Sequence, residues 1–300
     1  MTEAARAWAK RLGTVGVWTF EAERMPAVAE REYARAVESL GFKTLWIPES
    51  LGSKEAFAHA SLLLAATKTL VIATGIANIW ARDAVAMANG ARALVDAYPD
   101  RFLLGLGVSH APTVKTRGQS YARPLEYMRR YLDGMDAAPY TGPKVEVPRG
   151  LAALGPQMLR LSAERTLGAH SYFVPVEHST VARKELGGTA PLLAVEQAAV
   201  LNEDPVAARA IGRRHMKRYL ELDNYVNNLR RLGWGDADLA EGGSDTLVDA
   251  IVVWGGVAAI KSRIDDHMKR GADHLCLQVL RADPKGSPTS DLERIAKAVF

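Results

Sequence analysis

The run Arg101-Phe-Leu-Leu-Gly-Leu-Gly-Val-Ser109 contains a short strand, Phe102–Val108, apolar throughout and ending in glycines that permit a tight turn. A strand with no polar face is buried on both sides, as in a sheet covered by helices. Just upstream, Ala84–Tyr98 carries helical patterning that Pro99 stops. Working outward, the same alternation of short aliphatic runs and longer amphipathic segments recurs along the chain. The strand candidates are Leu12–Val17, Thr44–Pro48, Leu70–Ala77, Phe102–Val108, Leu151–Leu154, Ala169–Val174, Pro191–Val200 and His274–Leu280. Such alternation builds a parallel sheet from βαβ units, and eight strands in 300 residues predict a closed (β/α)8 TIM barrel.

Local chemistry marks several boundaries. Gly41 ends the helix Ala27–Leu40, and Gly271 forms the left-handed cap between the helix Val257–Lys269 and the last strand. Between the seventh and eighth strands lies a segment too long for one crossover helix. It holds the helical patterns Pro205–Tyr219 and Asp245–Trp254 around the polar stretch Gly233–Gly243. No linker composition isolates it, so residues 1–300 read as one domain with an insertion over about 204–255 that caps the barrel mouth.

Composition narrows the function classes. Of the residues, 48% are hydrophobic and 24% charged, enough apolar material for one large core. No stretch approaches the roughly 20 apolar residues that span a bilayer, and the first residues lack the apolar core of a secretion signal, so a cytoplasmic protein is expected. The 38 basic residues exceed the 34 acidic ones by four and are interspersed with them, which points away from nucleic acid. The single cysteine, Cys276, sits in an apolar strand run and reads as core. The seven histidines and one cysteine show no metal-ligand spacing, and no P-loop, dinucleotide glycine fingerprint or nucleophile elbow occurs.

Four segments at strand ends then resemble the luciferase-like flavin and deazaflavin oxidoreductases. They are Thr44-Leu-Trp-Ile-Pro-Glu49, Thr74-Gly-Ile-Ala-Asn78, Arg101–Ser109 and Leu154-Gly-Pro156, in an order and spacing that run through most of the chain. Within that superfamily, Ala152-Ala-Leu-Gly-Pro-Gln157 is most similar to the coenzyme F420-dependent branch. The resemblance implies a cofactor at the C-terminal ends of the strands, where a barrel collects its reactive groups.

The resemblance also implies site residues. The cofactor phosphate is expected against Leu154, Gly155, Pro156 and Gln157, where an uncapped helix start offers free amides; the alternative is a plain strand-to-helix turn. Around Gly75, Ile76, Ala77 and Asn78, relatives carry a bulge with a non-proline cis peptide behind the ring, here implied at Gly75–Ile76. Gly107, Val108 and Ser109 are expected against the pyrimidine side of the ring, and Val174 and Pro175 against the cofactor at the end of the sixth strand.

Glu49 and Ser50 occupy positions where relatives often carry an acid followed by histidine, so the usual acid–base assignment is incomplete. Glu49 can move a proton if burial raises its pKa, or it caps the next helix. His110 is the histidine best placed to protonate a substrate, against the commoner role of a helix cap or solvated ring. His178 has a weaker claim, and His59 and His170 read as structural. Asn224, Tyr225, Asn227 and Asn228 either line a substrate entrance or face solvent, and Trp80 is expected to wall the pocket. The reading is an F420-dependent oxidoreductase passing hydride to or from an organic small molecule, expected as a homodimer as is frequent in this family. An FMN-dependent monooxygenase and a non-catalytic cofactor-binding barrel are the alternatives.

Overall fold

Each of the expected strand regions lies in one parallel ladder. In the computed structural model, which describes residues 2–283 and 287–300, these are β1 (Val15–Trp18), β2 (Thr44–Ile47), β3 (Val71–Thr74), β4 (Phe102–Gly107), β5 (Arg149–Ala152), β6 (Gly168–Ser171), β7 (Leu192–Val200) and β8 (His274–Val279). They pair in sequence order, and β8 pairs with both β7 (His274 with Ala194) and β1 (Leu275 with Val15), which closes the barrel. Closure demands tight backbone contacts. A side chain at Gly105 would run into the Thr74 carbonyl, and one at Gly168, whose φ is +151°, into the Leu192 carbonyl, so only glycine serves there.

Large inward side chains fill the barrel. Trp46 of β2 stacks on His170 of β6, ring centroids 4.4 Å apart, and its indole N–H donates to Nε2 of His274 on β8 at 2.9 Å. His274 in turn bonds the Gly13 carbonyl through Nδ1, and Cys276 is buried in the same interior. The interior is thus a packed core up to the rim.

Several boundaries differ from the sequence reading. Leu12 ends the helix Glu3–Leu12 instead of starting β1; its carbonyl accepts from Thr44 Oγ1 at the start of β2, and the buried Trp8 and Leu12 plug the barrel base. The pattern Asp245–Trp254 stays helical only to Ile251. Val252–Trp254 forms a further parallel strand on Ala198–Val200, because two β-branched valines meet the protruding end of β7 and are buried there. The segment between β7 and β8 otherwise holds the helices Pro205–Met216, Asp223–Arg231 and Asp236–Leu239. Residues 217–219 leave the expected helix, and that turn delivers Arg218 and Tyr219 to the barrel mouth. Among the described residues no helix is long and apolar enough to cross a membrane.

Candidate active site

At the C-terminal rim the strand ends surround a cavity of about 390 Å³. Trp18 and Phe20 enter it after β1, Pro48 to Leu51 after β2, Gly75 and Ile76 after β3, Gly107 to His110 after β4, and Ala152 to Gly155 after β5. His170 and Tyr172 come from β6 and its end, and the segment after β7 adds Arg218, Tyr219, Asn224, Tyr225, Asn227 and Arg231. Widely separated turns therefore meet in one cleft because each follows a strand of the same closed sheet.

Most residues singled out in the sequence line this cleft, and some do not. Glu49, Ser50, Gly75, Ile76, Gly107, Val108, Ser109, His110, Leu154 and Gly155 do. Ala77 and Asn78 lie behind it, paired with Leu106 and Gly107. Val174 and Pro175 are buried beside the following helix, and Pro156 and Gln157 turn away along theirs. Trp80 is a buttress: its indole donates to the Val108 carbonyl at 2.9 Å and its ring stacks on Tyr127. The Gly75–Ile76 peptide is cis, at the bond the resemblance implies.

Glu49 is committed. Its carboxylate accepts from the Asn78 amide at 2.7 Å and the Ala56 amide at 3.3 Å, and both oxygens are held by the Arg82 guanidinium. Arg82 also reaches Glu55, and its guanidinium lies over the Phe57 ring. A buried carboxylate with every lone-pair direction used binds a corner together. Ala56 opens the next helix, so Glu49 does serve that helix start.

Ser50 faces the cleft with Glu23 behind it, whose carboxyl burial pushes above the usual range against the pull of Arg24 and Arg218. His110 is the N-cap residue of the helix Ala111–Thr116 but makes no cap hydrogen bond through its side chain. Its Nδ1 lies 3.0 Å from Asn224 Oδ1, which can only accept, so Nδ1 carries the proton and Nε2 has a free lone pair. Burial lowers its pKa, aided by Arg218 and opposed by Asn224.

The turn after β5 gains a cation from a distant segment. The helix Pro156–Arg165 starts at Gly155 without a side-chain cap, and the guanidinium of Arg231 lies close enough that a Cβ at Gly155 would stand 3.3 Å from Nη2. The amides of Gln157 and Met158 precede the first helical bond, Leu159 N–H to the Gly155 carbonyl. His178 braces the turn from below through Nε2 and the Leu154 carbonyl, 3.0 Å apart; burial lowers its pKa to about 4, which keeps it neutral and structural.

Sequence reasoning missed the floor. Trp18 and His170 are buried, line the cleft, and among the described residues have no hydrogen-bond partner for Trp18 Nε1 or either ring nitrogen of His170. Beside them Tyr172 donates to Gln278 Oε1 at 2.8 Å and accepts from the Tyr219 hydroxyl at 2.7 Å. Alternation along β6 could have flagged His170 as inward-facing, but no sequence signal reports a missing partner.

A parallel barrel whose C-terminal rim encloses a glycine-edged cleft, with a cation set against an open helix start, is a (β/α)8 barrel. More narrowly, the chain belongs to the luciferase-like monooxygenase family, whose model matches residues 12–274. The 5,10-methylenetetrahydromethanopterin reductase of Methanolobus tindarius is 27% identical over 157 residues, 46% of this chain and 48% of that protein. The chain therefore spans about half the length of the curated relatives it matches. Among solved structures, an F420-dependent secondary alcohol dehydrogenase in complex with an F420-acetone adduct has a TM-score of 0.77 at 15% identity, covering 95% of this chain and 98% of that one. The oxygenating constituent of 3,6-diketocamphane monooxygenase of Pseudomonas putida, a type II Baeyer-Villiger enzyme in complex with FMN, has 0.68 at 16%, covering 95% and 97%. At these identities the likeness is one of fold.

Proposed function

We propose that this chain is an oxidoreductase that binds coenzyme F420 across the barrel mouth and exchanges hydride with an organic small molecule. The observation that carries this reading is the meeting of Arg231 with the open helix start at Gly155, at the edge of a largely apolar cleft. An anion site beside a cleft with glycine-bearing walls fits a planar ring that carries phosphate. The F420-bound structural neighbour supports the same cofactor. We read residues 1–300 as one barrel unit, with about 204–255 covering the cleft.

In this reading Gly75 and Ile76 back the ring, Gly107, Val108 and Ser109 meet its edge, and Leu154, Gly155 and Arg231 hold phosphate together with the amides of Gln157 and Met158. Bound there, the deazaflavin supplies the carrier that takes up or releases hydride. The protein orients the substrate, excludes water and moves the proton. Glu49 keeps the rim in shape, since both oxygens are engaged. His110 is the proton-exchanging group: neutral, oriented by Asn224 and open at Nε2, it accepts the hydroxyl proton when an alcohol is oxidised and returns it in the reverse direction.

A flavin reading has one supporting observation, the FMN-bound neighbour on the same barrel. Titrating the protein separately with F420 and with FMN, following fluorescence and retention on a filter, separates the two. Saturable binding of F420, weakened about tenfold or more by R231M, is expected. Saturable binding of FMN alone removes F420. Tight F420 binding with no turnover across a broad panel of alcohols and carbonyls leaves a non-catalytic carrier.

A further inference from the structure

The deepest part of the cleft is built of polar atoms with nothing to bind. Trp18, at the end of β1, is 2% exposed, and His170, in β6, is 3% exposed. Among the described residues neither the indole N–H nor either imidazole nitrogen has a partner, and the Ala194 backbone, which favours the charged ring, meets neither nitrogen in hydrogen-bonding geometry. Just below, comparable groups are satisfied: Trp46 donates to His274, and His274 bonds the Gly13 carbonyl. Buried donors and acceptors are almost always paired, so two adjacent orphans at the bottom of a cavity mark where a ligand supplies the missing atom.

The two converge on one point. A Cβ placed on Gly75 would stand 2.6 Å from Trp18 Nε1 and 3.4 Å from His170 Nε2, so both nitrogens face the same hollow and glycine keeps it clear. Both rings are fixed. Trp46 stacks on His170 at 18° between planes, and Trp18 is held by Phe20 and Tyr172 with centroids 4.6 and 5.0 Å away. Burial, with His274 nearby, lowers the His170 pKa to about 3, so the ring is neutral and offers one donor and one acceptor.

We propose that Trp18 Nε1 and His170 form an anchor for a neutral oxygen, hydroxyl or carbonyl, on the buried end of the substrate, apart from His110 nearer the mouth. A hydroxyl accepts from the indole and donates to the imidazole; a carbonyl accepts from both, with the other imidazole tautomer. A hydrocarbon end leaves both orphans unpaired, and a carboxylate meets no cation there. The inference rests on the oxidoreductase reading for the word substrate, whereas the anchor itself is tested without cofactor.

The test follows the indole N–H signals of the 15N-tryptophan-labelled protein, six in all, with Trp18 assigned by W18F or, should that variant not fold, by substituting the other five in turn. Cyclohexanol and cyclohexanone are expected to move the Trp18 signal downfield saturably, while methylcyclohexane and cyclohexanecarboxylate leave it in place. H170F is expected to weaken cyclohexanol binding about tenfold, the ordinary worth of one lost hydrogen bond. An unmoved Trp18 signal, an equal shift with methylcyclohexane, or unchanged affinity in a folded H170F overturns the anchor. F420 titration of the same samples tells the two ideas apart. Loss of alcohol binding with F420 affinity intact supports the anchor, whereas an intact anchor in a protein that binds no F420 refutes only the cofactor reading.

Discussion

The Glu49–Arg82 corner and the Trp18–His170 floor border the same cleft and treat buried polarity in opposite ways. At the corner, charge is present and every lone pair is occupied by a guanidinium or a backbone amide. On the floor the groups are neutral and unpaired. The contrast teaches that burial alone does not mark a reactive residue: the acid that looks catalytic by position is spent on structure, while the ring that looks structural is left free.

The largest effect that can break this contrast comes from acid. Burial holds His59, His178 and His274 at pKa values of about 4, and His170, His215 and His267 at about 3. The unfolded chain takes up protons on these rings from near pH 6.5 downward while the folded chain does not, so stability is lost as pH falls from about 6.5 toward 4. Each histidine contributes up to about 1.4 kcal/mol per pH unit. Glu196, raised by burial to about 8, and Glu23, also raised by burial, act in the opposite sense, two groups against six. Urea midpoints between pH 7.5 and 4.5 are expected to fall steeply; a flat profile would mean the imidazoles are charged or exposed.

Removing half of the corner ranks next. R82L leaves the Glu49 carboxylate buried and uncompensated, an expected loss of about 3 kcal/mol by urea unfolding. Adding E49Q should recover part of it, since a neutral amide oxygen still accepts from Asn78. A loss below about 1 kcal/mol in R82L would show the corner to be solvated. The floor should answer differently: H170F removes two unpaired nitrogens and is expected to change stability by less than about 1 kcal/mol, with an acid slope shallower by about one proton. The smallest effect is that of N224A, which removes the partner that favours the protonated ring of His110. Its NMR titration midpoint should move to lower pH with stability unchanged within about 0.5 kcal/mol.

The barrel was legible because strands buried on both faces are written as largely apolar runs, as in Phe102–Gly107 and, apart from His274 and Gln278, His274–Val279, each followed or preceded by a capping glycine or proline. Val252–Trp254 was not, since three apolar residues continue a helical pattern as readily as they start a strand, and pairing with Ala198–Val200 decides between them. Leu12 failed for the related reason that an apolar residue at a helix end and one at a strand start look alike. Gly75, Gly107 and Gly155 could be read at strand ends, but the partners that define the site could not. Arg231 meets Gly155, and Trp18 faces His170, only after the sheet has closed.

The long β7 strand carries both ends of the segment that lends Arg218, Tyr219 and Tyr225 to the cleft: the chain departs after Val200 and returns alongside it at Val252–Trp254. Neighbouring strands stand only about 4.8 Å apart, so departure and return are near neighbours in space. The intervening residues are then a cassette with abutting ends, and the cost of closing such a loop grows only slowly with its length. Exchanging that cassette for a longer or shorter one would re-tailor which molecules reach the cleft while the staves of the barrel keep their register.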